Sequence, residues 1–144
     1  MASALTPRLI VPRADDAIAY YQKAFGARLL ERFADPGRND QVVHAAVEIC
    51  GAVISLADED VSWGNLGPGA LGGSPVLLQL EVADADAVGA AMVEHGAEVV
   101  ISIDDRFYGR REGRLKDPFG HLWIVSQELE KLSEDEINRK MARR

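Results

Sequence analysis

The sequence predicts an α+β protein built from two tandem βαβββ modules. Their eight strands form one curved mixed groove with the helices outside, and a C-terminal helix follows. Three observations predict this. The stretch DAIAYYQKAFGARLL (16–30) returns in the same register as DAVGAAMVEHGAEVV (86–100), with Asp16, Ala17, Gly26 and Ala27 recurring as Asp86, Ala87, Gly96 and Ala97. Each copy has a strand-like segment on either side, and after each copy come two further strand-like segments joined at a glycine, Gly51 or Gly120. A strand-helix-strand unit cannot cover its own sheet, whereas two such units side by side can.

The elements follow in chain order. LTPRLIV (5–11) reads as the first strand, and Asp15 or Asp16 as the N-cap of the first helix. Ile18, Tyr21 and Phe25 line one face of that helix, and Gly26 supplies the left-handed residue that stops it. ARLLERF (27–33), QVVHAAVEI (41–49) and AVISLA (52–57) complete the first module, with a turn at Cys50-Gly51. GNLGPGALGGSP reads as a flexible linker; its formal GxGxxG match, GPGALG (67–72), lacks the following helix that a dinucleotide site needs. VLLQLEV (76–82) opens the second module. Asp84 caps its helix, Val88, Ala91 and Met92 line a face, and Gly96 ends it. AEVVISI (97–103), RREGRLKD (110–117) and HLWIVSQ (121–127) finish it around a DPFG turn. In the tail, Ser133 and Glu136 form a capping box, Leu132 and Ile137 a staple, and basic residues close the helix. The expected division is 1–58, first module; 59–75, linker; 76–127, second module; and 128–144, C-terminal helix, all within one structural domain.

Bulk composition narrows the setting. The chain has 144 residues, 47% hydrophobic and 27% charged, as an ordinary globular protein does. A net charge of −7 argues against nucleic acid or an anionic membrane as partner. No apolar run has the length of a membrane span, and MASALTPRLIVPRADD does not read as a signal peptide. With Cys50 the only cysteine, neither an intrachain disulfide nor a cysteine-rich zinc site is available. The expected location is the cytoplasm.

Paired βαβββ modules, a helix ending in AFGA and the run DPFGHLW resemble the vicinal oxygen chelate superfamily, which includes glyoxalase I, extradiol dioxygenases and bleomycin-resistance proteins. HAAVEICGAVISLAD (44–58) and RFYGRREGRLKDPFGHLW (106–123) are most similar to its PhnB-like branch. The resemblance implies a small-molecule groove and a homodimer. It also implies that metal ligands, where members have them, sit on the first and last strands of each module. Here those positions are Thr6, Ser55, Leu77 and Ile124. Leu and Ile cannot coordinate a metal and a hydroxyl is a poor neutral ligand, so no metal and no cofactor is expected.

The candidate lining alternates toward one sheet face: Thr6, Arg8, Ser55, Gln79, Glu81, Ile124 and Ser126. Of the histidines, His44 is the one placed to face the groove; His95 suits a helix C-terminus and His121 a structural role beside the turn. Trp63, in the Gly-rich segment, is a candidate lid, with Phe107 and Tyr108 at the groove mouth. Arg106, Arg110, Arg111 and Arg114 form one basic cluster that reads as a solvated hairpin or as a carboxylate or phosphate holder. The leading functional expectation is a metal-independent protein that binds an apolar or aromatic small molecule. The alternative is an enzyme of the same superfamily, metal-free with Glu81 or His44 as general base, or a metal-dependent lyase or dioxygenase.

Overall fold

A computed structural model describes residues 3–144. The elements run β1 (Arg8–Val11), α1 (Ala14–Phe25), β2 (Arg28–Asp35), β3 (Gln41–Ile49), β4 (Ala52–Asp58), α2 (Pro68–Leu71), β5 (Leu77–Glu81), α3 (Ala85–Glu94), β6 (Glu98–Asp105), β7 (Arg110–Lys116), β8 (Leu122–Glu128) and α4 (Glu134–Ala142). They build two four-stranded sheets of one topology, β1-β4-β3-β2 and β5-β8-β7-β6. In each, the first and last strands of the module pair in parallel and the other neighbours are antiparallel. The repeat in the sequence is thus a repeat of the fold. The β3–β4 hairpin turns at Cys50 and Gly51, whose φ values of 50° and 81° are the two positive angles that a two-residue hairpin requires.

Burial follows the period of two expected of strands and gives each sheet a covered face and an open one. Leu9, Val11, Val47, Ile49, Ile54 and Leu56 are buried on the first sheet, and Leu80, Leu115, Trp123 and Val125 on the second. The covered faces belong to a single hydrophobic core shared by both modules. α1 joins the two halves. The Tyr21 ring meets Trp123 edge-on at 5.6 Å, Phe25 lies 4.8 Å from the same indole, and the Tyr20 hydroxyl donates to the Met92 carbonyl at 3.1 Å. Both covered faces contribute to this core, which leaves each sheet an open face.

One carboxylate fixes the junction. Asp117 is 3% exposed and accepts four hydrogen bonds, which is why the turn reads DPFG. Its Oδ2 receives the Tyr21 hydroxyl at 2.5 Å and Trp123 Nε1 at 2.9 Å; its Oδ1 receives the Phe119 and His121 amides at 2.9 and 3.0 Å. His121 then donates from Nε2 to the Ile10 carbonyl of β1 at 2.9 Å, the structural role expected of it.

Two expectations need correction. Neither Asp15 nor Asp16 is the N-cap of α1. The helix starts two residues earlier than a cap at Asp15 would allow, after Arg13, whose side chain makes no capping bond. The Ala14 amide is satisfied from a distance by Asp58 Oδ1 at 2.6 Å, at the end of β4. Asp15 and Asp16 occupy the first turn, where their charge suits the dipole. The inter-module segment is also more ordered than a flexible linker. Asp60 accepts from Arg38, Gln41 and Ser62, tying it to the β2–β3 turn. Pro68 begins the one-turn α2, packed so closely that a Cβ on Gly67 would stand 2.8 Å from the Ile10 carbonyl oxygen.

The second module matches its expected grammar. Asp84 Oδ1 accepts the Ala87 amide at 3.1 Å, and at α4 Ser133 Oγ caps the helix by accepting the Glu136 amide and donating to Glu136 Oε1, each at 3.1 Å, in place of the reciprocal backbone bond of a full capping box. β6 bulges between Val99 and Asp104. Its backbone leans over Gly113, where a Cβ would stand 2.5 Å from the Ile101 carbonyl oxygen.

Asp117→Ala strands a buried hydroxyl, an indole N–H and two amides at once. It should lower unfolding free energy by about 3–5 kcal/mol in chemical denaturation, while Tyr21→Phe, which removes one donor, should lower it by about 2 kcal/mol.

Candidate functional site

The functional candidates gather on the two open faces. On the first sheet, Arg8 of β1 reaches across β4, where its register partner Ser55 and the next, Ala46, are small. Its guanidinium donates to the Val43 carbonyl at 3.1 Å and to His44 Nδ1 at 2.9 Å. An arginine can only donate, so Nδ1 is the bare nitrogen and the ring proton sits on Nε2, which donates to Glu31 at 2.9 Å. Phe33 stacks on the imidazole at 5.4 Å between centroids. Arg8, His44 and Glu31 thus form a pre-set polar chain across the sheet, with an aromatic ring on one side.

The second open face carries a longer network. Glu81 on β5 pairs with Arg110 on β7 at 3.1 Å, and Arg110 also donates to Ser126 Oγ at 3.3 Å. Ser126 and the Tyr108 hydroxyl donate to opposite oxygens of Glu112, at 2.8 and 2.6 Å. Burial first, then the hydrogen bond to Glu112 and its charge, push the Tyr108 phenol up to about 12. The next row of the sheet is different in kind: Gln79, Ile124, Arg114 and Ile101 lie side by side across β5, β8, β7 and β6.

The basic cluster of the sequence therefore separates into four roles. Arg110 pairs with Glu81 on the open face. Arg111, of opposite parity, points to the covered side and binds Asp86 of α3 and Asp105. Arg106 donates to the Glu112 and Ser102 carbonyls. Arg114 makes no side-chain hydrogen bond or ion pair among the described residues, and its buried Nε has no partner.

The remaining candidates lie elsewhere. Thr6 precedes β1 and lines an opening of about 480 Å³ with Pro7, Val53 and Gln79. Trp63 ends a helical turn (Val61–Trp63), with the Arg38 guanidinium 3.8 Å from its ring centre, and is 49% exposed. Phe107 packs edge-on against Tyr108 at 5.1 Å, and Arg144 lies 4.9 Å over its ring. His95 is exposed at the end of α3. Glu31, Phe33 and Glu112 were absent from the sequence-derived set. The hydrophobic-looking strand 27–33 concealed two of them, although strand parity against His44 would have placed both.

Comparison with known proteins agrees with this architecture. The family description of the glyoxalase/bleomycin resistance protein/dioxygenase superfamily matches residues 4–125. The chain belongs to this superfamily. It is 39% identical over 142 residues to an uncharacterised Mycobacterium bovis protein, covering 96% of this chain and 92% of that one. Among solved structures, it resembles an Arabidopsis thaliana gene product (26% identity, TM-score 0.70, 88% of this chain and 99% of that one). It shares its fold with the fosfomycin resistance protein FosX of Listeria monocytogenes (18%, TM-score 0.68, 94% and 98%). A PhnB protein of Bacillus cereus has the same fold (16%, TM-score 0.69, 87% and 99%).

The positions at which superfamily members place metal ligands do not fit a divalent ion here. Leu77 and Ile124 offer only alkyl groups, and the Ser55 hydroxyl is buried and donates to the Pro7 carbonyl at 3.4 Å. Among the described residues, no group of three or more His, Cys, Asp or Glu is placed to hold a metal.

All three tyrosines of the chain are held neutral. Tyr20 is raised by burial and then by the Asp117 charge; Tyr21 is raised by burial, then by the Asp117 charge and its hydrogen bond to that carboxylate; and Tyr108 is raised as above. The folded state favours each protonated phenol, so this stabilisation is complete below the ordinary value of 10 and is lost as pH rises through the folded values. Ultraviolet titration should show almost no tyrosinate at pH 10 in native protein and about half-ionisation in denaturant, with unfolding setting in at higher pH.

Proposed function

We propose that this protein binds a small molecule without a divalent metal, in a groove formed when the open face of one copy's first sheet meets the open face of another copy's second sheet. The observation that carries the reading is that both sheets keep an open face on which polar side chains are already held in place. Each displays a pre-organised polar network beside uncovered apolar side chains, including Phe33, Val53, Leu77 and Ile101 at 38–55% exposure. An uncovered apolar area of this kind marks a binding surface. The helix-covered sides are already used within the chain, which leaves these faces for a symmetric partner. The exposed stripe of α4, with Met141 at 47%, is a further surface for such a partner.

Binding is favoured over general-base catalysis because the candidate bases are engaged. Both nitrogens of His44 are hydrogen-bonded, and Glu81 is paired with Arg110. The Listeria neighbour is named for fosfomycin resistance, and a role in handling a small compound is carried to this chain as part of the proposal. We place the protein in the cytoplasm; no helix of the described residues is long and apolar enough to cross a membrane.

Light scattering at micromolar concentration should give the mass of a dimer. Elemental analysis of protein purified without chelator should find well under one equivalent of zinc, nickel, iron or manganese. Thermal-shift screening of flat aromatic compounds should yield ligands that Tyr108→Ala weakens several-fold, in keeping with the loss of about 1–2 kcal/mol of ring contact. A monomer that binds none of these compounds overturns the reading; a stoichiometric metal overturns its metal-free part.

A further inference from the structure

The row Gln79–Ile124–Arg114–Ile101 places a permanent cation between two isoleucines, with no carboxylate in the row. In the first sheet the corresponding row, Arg8–Ser55–Ala46–Glu31, carries its arginine and its glutamate together, bridged by His44. The second sheet has no such balance. Arg114 lines a cavity of about 120 Å³ together with Ile101, Arg106, Tyr108, Glu112 and Ile124. The one carboxylate there, Glu112, is occupied on both oxygens by Tyr108 and Ser126. Arg106 spends its bonds on backbone carbonyls, so two guanidinium charges face the cavity and neither forms an ion pair among the described residues. A buried guanidinium nitrogen left unsatisfied is destabilising in itself, and a protein of net charge −7 has ample acid with which to pair it.

We propose that Arg114 is the anion-binding residue of the groove, and that the ligand is an organic acid whose carboxylate or phosphonate head enters this cavity while its apolar body lies along Ile101, Ile124 and Tyr108. The planar guanidinium presents paired donors that suit either head group. At about 30 Å³ per water, the cavity has room for a head of about four small groups and not for a whole ligand, so the body extends into the open groove. This rests on the small-molecule reading above and narrows its ligand class.

The test compares benzoate, phenylphosphonate and neutral benzamide by calorimetric titration of the full chain in low-chloride buffer. At least one of the two acids should bind tenfold or more tightly than benzamide, the preference should weaken as salt rises, and which acid binds better identifies the head group. Arg114→Met should reduce that acid to the benzamide level. Arg114→Lys, which keeps the charge without the fork, should keep part of the preference. The melting temperature of Arg114→Met should be unchanged or higher, because an unsatisfied buried donor has been removed. Equal binding of acid and amide, an acid preference that survives in Arg114→Met, no binding of either acid at millimolar concentration, or a melting temperature that falls by many degrees overturns the proposal. Equal binding of all three compounds leaves the groove intact without its anion site. An Arg114-dependent preference in a protein that is monomeric by light scattering leaves the anion site intact without the shared groove.

Discussion

The buried carboxylate of Asp117 holds the two halves of this molecule in register. It stands in the turn between the last two strands, yet half of its hydrogen bonds go to rings that form the contact between modules. Tyr21 comes from the first module and Trp123 from the second, and one oxygen receives both. That shared oxygen ties α1 of the first module to the second sheet.

The two open faces have diverged under the same topology. On the first, arginine, imidazole and glutamate neutralise one another across three strands, giving a rigid and nearly balanced polar floor. On the second, the acid–base pairing is confined to the row of Glu81, Ser126 and Glu112, and the adjacent row is apolar apart from one amide and one guanidinium. Facing each other across a dimer, a balanced floor and an asymmetric one would give a groove with a charged end and an apolar middle. That polarity suits a ligand with one acidic end.

Much of the fold was legible in the sequence because the local signals are strong. Gly26 takes up the left-handed conformation at the end of α1, as expected of a glycine C-cap, and QVVHAAVEI became a strand over the same residues. Alternation along the strands anticipated the rows Arg8–Ser55, Gln79–Ile124 and Glu81–Ser126, which the register pairs across β1, β4, β5 and β8; Thr6, expected in the same set, precedes β1. What the sequence hid is long-range. Asp117 reads as a turn residue, and nothing local says that a tyrosine 96 positions earlier donates to it. The four arginines of the 106–114 stretch read as a single patch, although strand parity alone separates Arg111 from Arg110 and Arg114. Arg114 stands out only once its neighbours on β6 and β8 are known, since those are set by register and by the β6 bulge over Gly113.

The distant capping of α1 has a counterpart in α3 and a consequence for how the chain folds. Asp58 at the end of β4 accepts the Ala14 amide, and Gln127 near the end of β8 accepts the Ala85 amide at 3.0 Å. In both modules the strand that closes the sheet also finishes the helix, across 44 and 42 residues of chain. A helix closed off from so far away gains its last bond only when the final strand docks. α1 in particular has no side-chain cap of its own with which to start early. Each module should therefore assemble in one cooperative step, with helix order and sheet closure appearing together in refolding kinetics, at the slower rate expected of non-local topology.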